Sequence, residues 1–234
     1  MAAEANVTHR ALDGRRFQLS GQLDLGQPFT SAVGITVEGR PHELTAGPIG
    51  LGEELARANG IDGFDEALSF QGGTLRIGRT GHFDAGIRLA EDVLVAVWEG
   101  RRYCVVLWLY RATTSDVVGV LRTLRITEYD DGIALEPDAK AGCRFADQAT
   151  VTKQVPGLGL LEVSARTAAH ARALPNWQGV ATTAGELFQD TLGNGDPYFV
   201  LAGTDTWTTV MPLADTTVGR LPALADRLAL RTVG

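Results

Sequence analysis

Asp92 to Thr127 reads DVLVAVWEGRRYCVVLWLYRATTSDVVGVLRTLRIT. Residues 93–98 and 103–110 are runs rich in β-branched and aromatic side chains, and Glu99, Gly100 and Arg101 between them form a short loop of the hairpin kind. The second run is apolar on both sides, with Cys104, Val106 and Trp108 facing one way and Val105, Leu107 and Leu109 the other. Strands of that composition are covered on both faces. Ala112 to Asp116 then offer side-chain oxygens to the free amides of a helix start, and Val117, Val118, Val120, Leu121 and Leu124 make one apolar stripe. Residues 125–127 return to an extended pattern. Asp130-Asp131-Gly132 turns the chain into 133–135, because Asp-Gly takes the positive φ angles of a tight hairpin. The stretch predicts β, β, α, β, β and the buried centre of an α+β fold, with short helices packed on a mixed, mainly antiparallel sheet.

The same order recurs in Asp196 to Thr232, DPYFVLAGTDTWTTVMPLADTTVGRLPALADRLALRT. Apolar runs 198–201 and 207–211 flank a Gly203-Thr204-Asp205 turn. A short helix carrying Leu221, Leu224, Ala225 and Leu228 follows, and then Leu230-Arg231-Thr232. Two related ββαβ-containing modules are compatible with this pattern, and so is chance recurrence of a common arrangement. The weakest link along the chain is 136–145, EPDAKAGCRF, which has no periodicity. It suggests a division into modules 1–138 and 139–234, with a single domain over 13–234 as the alternative.

Elsewhere, the first dozen residues are expected to fray, and the alternation of Phe17, Leu19, Gly21, Leu23 and Leu25 predicts a half-exposed strand. Hairpins are expected around Gly39-Arg40 and Pro156-Gly157. Strands are expected at 74–79 and 85–89, and helices at 51–59, 64–70, 167–174 and 182–192.

The 234 residues carry a net charge of −7, and no Lys/Arg cluster exceeds a pair, which argues against a nucleic-acid-binding face. No segment approaches the roughly 20 apolar residues of a membrane helix. The start of the chain lacks the basic-then-apolar pattern of a secretory signal, so a cytoplasmic location is expected. Cys104 and Cys143 form no disulfide or metal-site pattern. Lys occurs only at 140 and 153, a bias toward Arg of the kind seen with GC-rich actinobacterial or phage genes.

Candidate chemistry is sparse. His82 and Asp84, after Gly81, could pair as base and orienter in a loop between strands, although the same residues suit a polar turn. His42 and Glu43 are adjacent on a predicted strand and should face opposite ways. His170 should be solvated on its helix. Cys104, in an apolar strand, should be an inert thiol. Asp190, Asn194 and Asp196 could offer oxygens to a hard cation, but their spacing is first that of a turn. Asn176 and Trp177 sit in a loop where an aromatic can anchor a partner, with folding back on the core as the favoured outcome. No P-loop, dinucleotide or G-x-S-x-G pattern is present, so no cofactor is expected. These readings favour a non-catalytic binding or assembly protein, a subunit of a larger complex with a protein partner or self-association. The alternative is an enzyme, a hydrolase using the His82/Asp84 loop.

Overall fold

The structure is a computed structural model describing residues 4–84, 89–214 and 216–234, with the side chains of 82–91 outside the description. The chain begins β1 (Ala5–Arg10), β2 (Arg16–Gly21), β3 (Phe29–Val37), β4 (Arg40–Pro48), α1 (Leu51–Ala58), β5 (Glu66–Phe70), β6 (Gly73–Asp84) and β7 (Leu89–Glu99). There follow β8 (Tyr103–Tyr110), α2 (Thr114–Arg122), β9 (Leu124–Tyr129), β10 (Gly132–Pro137), β11 (Cys143–Phe145), β12 (Thr150–Val155) and β13 (Gly159–Ala165). The remainder is α3 (Ala168–Ala173), β14 (Val180–Thr182), β15 (Gly185–Thr191), β16 (Pro197–Ala202), β17 (Thr206–Met211), α4 (Leu221–Ala225) and β18 (Leu228–Val233). The fold is α+β in the coarse sense expected, mainly antiparallel and dominated by sheet. Among the described residues, no helix is long and apolar enough to cross a membrane.

The chain divides into two compact units, one of residues up to Ala11 with Arg15–Phe29 and Thr150–Gly234, the other of Leu12–Gly14 with Thr30–Ala149. In the second, the strand order is β3-β4-β8-β7-β6-β5, with β11 beside β3 and the hairpin β9-β10 apart from this row. The opening stretch is its centre: Val93 to Val97 and Cys104 to Leu107 are almost wholly buried. Helix α1 buries Ala56 among Val95, Val97, Cys104 and Val106, with Leu51, Leu55, Phe64 and Trp108 around them. It comes so close to β7 because Gly52 has no side chain; a Cβ there would lie 2.3 Å from Val97 Cγ1. Helix α2 starts with a reciprocal cap, Thr113 accepting from the Asp116 amide while the Asp116 carboxylate accepts from the Thr113 amide. The side chain of Gln71 ends that helix. Its Nε2 donates to the carbonyls of Leu121 (3.3 Å) and Leu124 (2.7 Å), and its Oε1 accepts from the Ile126 amide.

In the first unit the order is β12-β13-β17-β16-β15-β14, and β1, β2 and β18 form a separate antiparallel group centred on β2. Each unit therefore runs hairpin, helix, four-strand meander, helix, strand. In each, the second strand of the hairpin pairs with the last of the meander, β4 with β8 and β13 with β17.

Several local expectations are corrected. Residues 64–70 and 182–192 do not form helices; they contain β5 and β15. Their Glu, Ala, Leu and Phe are tolerant of either state, and pairing on the sheet decides. For β5 the decisive feature is the next turn, where Gln71 (φ 45°) and Gly72 (φ 78°) take the two positive φ values of a type I′ hairpin loop. The N-terminal segment does not fray at 5–10, because β1 pairs with β2 over its whole length. His82 to Asp84 are not a turn but the end of β6, paired with Leu89 to Glu91.

Candidate functional site

Strands β4 and β8 pair in register from Pro48 and Tyr103 as far as Leu44 and Leu107, where the ladder stops although both strands continue. Arg40 to Glu43 of β4 and Trp108 to Tyr110 of β8 lie beyond it, and all seven residues line one open groove of about 1050 Å³. Helix α2 closes a side with Ser115, Asp116, Gly119 and Val120, and Lys140 to Gly142 close another. This volume is at the upper end for ligand pockets, far larger than a metal ion requires.

Local chemistry explains the opening. Pro41 lacks the amide proton that a continuing ladder would use. At the far end of β8, Arg111 takes a left-handed φ of 52°, which turns the chain away into α2. The lining mixes aromatic and charged groups. Tyr110 is 60% exposed, the most open large apolar side chain among the described residues, and Trp108 is half-buried beside the α1 core. Partial burial, and then the neighbouring Arg40 charge, hold the His42 imidazole below its ordinary pKa, so it is neutral at pH 7 and can both donate and accept. Arg40, Arg111 and Lys140 stand against Glu38, Glu43 and Asp116, a balanced set. The Asp116 carboxylate is already engaged by the Thr113 amide and hydroxyl, both at 2.7 Å.

His42 and Glu43 both line the groove, which is large enough to take in neighbours whose side chains alternate on β4. The signal for this site in the sequence is Pro41 inside a strand pattern.

The other candidate residues are not brought together. His82 and Asp84 have side chains outside the described residues. Asp190 accepts from the hydroxyl of Tyr198 (3.1 Å) and the amide of Thr191 (2.7 Å), while Asn194 and Asp196 bond to each other across the β15–β16 turn. Among the described residues searched, no group of three or more His, Cys, Asp or Glu side chains is arranged to hold a metal ion. Trp177 does not fold back on the core. It is 52% exposed, with Asn176 exposed beside it. His170 is not freely solvated; its ring stacks on Trp207 with centroids 4.7 Å apart, and its Nδ1 accepts from the Thr167 amide.

Cys104 and Cys143 are both buried, and burial pushes the Cys104 thiol up to about 11 despite several backbone contacts. The thiol donates to the Pro48 carbonyl at 3.4 Å. At pH 8 the thiolate fraction of Cys104 is on the order of one in a thousand. Ellman's reagent should therefore label neither cysteine in the native chain within minutes and both after unfolding; rapid labelling of the native protein would contradict this burial.

Compared with described protein families, with curated proteins and with solved structures, the chain matches none.

Proposed function

We propose that this protein is a non-catalytic binding or assembly protein, a subunit of a larger complex, and that it receives a protein partner in the β4/β8 groove. The observation that carries this reading is the premature end of the β4–β8 ladder, which leaves two strand ends and the exposed Tyr110 on an open groove that the half-buried Trp108 also lines. Exposed strand ends and accessible aromatics are features that proteins either blunt or use for association. The common order of the two units supports a further reading, that they are copies of one module, one with the β4–β8 junction open and the other with β13–β17 closed.

Light scattering after size exclusion tests the assembly reading on the full chain recovered from its native source. The expected species is heavier than one 24.9 kDa chain. The double variant Arg40→Glu, Tyr110→Ala, at two exposed positions, should return it to that mass without loss of thermal stability. A native chain that runs alone at every concentration, or a variant that keeps the assembly, would overturn the proposal.

A further inference from the structure

Building on the reading of the groove as a partner site, we infer that its occupant is an extended polypeptide segment of the partner, added as a strand along the freed ends of β4 and β8. The argument starts from an internal comparison. Matching the two units by the paired ends Pro48–Tyr103 and Ala165–Thr206 sets Glu43 and Trp108 against Leu160 and Met211. Leu160 and Met211 are paired, and the β13–β17 ladder reaches the last residue of β17. The same arrangement of strands can therefore close at this point.

What differs is chemical. The residue of the first unit that corresponds to His42 is Gly159, at φ 128°, where a Cβ would lie 2.4 Å from the Met211 carbonyl oxygen. Close approach there requires a glycine. His42 in the other unit brings a ring to that place, and Pro41 next to it withholds an amide. Pro41 thus removes a donor that a continuing ladder would use, and His42 stands where the closed unit has its glycine.

The walls then define what fits. On its other edge β4 is paired with β3 from Arg40 to Ala46, and Leu109 and Tyr110 of β8 are paired with β7. Each wall is thus a formed strand with one side open toward the groove. Main-chain donors and acceptors in a row at strand spacing are matched by another extended main chain, which is the basis of strand addition. Residues Arg40 to Glu43 span roughly 13 Å at about 3.3 Å per residue, and the groove-side main-chain groups of the two walls are the Pro41 carbonyl and the amides and carbonyls of Glu43, Trp108 and Tyr110. The balanced lining charges fit a segment of mixed or no net charge and disfavour a polyanion such as nucleic acid. Trp108 and Tyr110 supply apolar contact for alternate side chains of the guest.

The test uses the full chain and a display library of random dodecapeptides. Enriched peptides are synthesised with single backbone N-methyl groups moved along their length. Strand addition predicts that methylation at alternate positions weakens binding at least tenfold while the positions between are tolerated, and that bound peptide slows amide exchange at Glu43, Trp108 and Tyr110, whose amides face the groove. A second variant, His42→Cys with Leu109→Cys, places thiols where the next non-hydrogen-bonded pair of a continued ladder would form. Oxidation should abolish peptide binding and reduction restore it. Insensitivity to N-methylation, absence of any enriched peptide, or binding unchanged in the oxidised variant would each overturn the inference. The broader reading stands or falls separately: an assembly lost in Arg40→Glu, Tyr110→Ala but indifferent to closure of the gap retains the partner site and removes strand addition.

Discussion

Glu128→Ala is expected to destabilise the second unit by about 2–4 kcal/mol, and Glu128→Gln by about half of that. Glu128 lies on β9 with its side chain only 11% exposed, and its carboxylate accepts from three consecutive amides of the β7–β8 turn. The distances are 2.9 Å from Arg101, 2.6 Å from Arg102 and 3.1 Å from Tyr103. Asp130 supports the same turn: its carboxylate meets Arg102 at 2.9 Å, and its carbonyl accepts from the Tyr103 hydroxyl at 3.1 Å. One side chain thus holds the loop that joins the two most buried strands. Alanine removes all three acceptor interactions, and glutamine turns one acceptor oxygen into a donor facing other donors. Arg101 and Arg102 are exposed residues, so water can replace part of the lost bonding in the variant, which keeps the loss below the sum of three buried bonds.

The same site has a pH signature. Burial works to raise the Glu128 carboxyl, but the three amide bonds and the Arg101 charge outweigh it and hold the carboxyl below its ordinary value. The unfolded chain therefore binds the proton more readily than the folded one. The stabilisation is complete above the ordinary value of about 4.5 and disappears as pH falls through the lower folded value. Urea unfolding of wild type and Glu128→Gln from pH 7 to pH 3 should show a gap that narrows with acid. A pH-independent gap, or a Glu128→Ala loss under about 0.5 kcal/mol, is incompatible with this account.

How far the fold can be read in advance depends on whether pattern or pairing decides each element. β7, β8, α2 and β9 are legible because apolar runs, a Gly-containing loop and a Thr113/Asp116 cap agree with one another. β5 and β15 are not, since Glu-Ala-Leu and Glu-Leu-Phe favour no single state in isolation. The turn that fixes β5 uses Gln71, a rarer left-handed residue than the Asn or Asp of familiar hairpin signals. The segment 136–145 looks structureless in sequence yet carries the end of β10, a single helical turn at Ala139–Ala141, and β11 paired with β3. The groove is harder still, because it is defined by where a ladder ends. Pro41 is visible, but the left-handed turn at Arg111 and the contrast with Gly159 exist only once the strands are paired.

Lys153→Met should raise the melting temperature, by about 2–10 °C if the gain is about 1–3 kcal/mol. Lys153 lies in the inward row of β12 between Val151 and Val155 and is 1% exposed, and its ammonium donates to the Gln27 carbonyl. Desolvation of a buried ammonium costs several kcal/mol, and one neutral carbonyl offsets only part of it. Methionine keeps the length and apolar stem and leaves the carbonyl without that donor, a cost of about 1–3 kcal/mol that is smaller than the charge burial it removes. Alanine removes the same charge but leaves a cavity, so it should be less stable than the methionine variant by about 2–3 kcal/mol. Burial, only partly countered by Asp24, holds the Lys153 ammonium below its ordinary value, so between the folded value and about 10.5 the unfolded chain binds more protons than the folded one. Wild-type stability therefore gains on Lys153→Met as pH rises toward 10.5. Taking the difference between the two proteins cancels the tyrosines, including Tyr103, whose raised value acts in the other direction. Calorimetry from pH 7 to pH 10 should show the two melting temperatures converging. A methionine variant less stable than wild type at pH 7 would mean that the bond to Gln27 outweighs the cost of burying the charge.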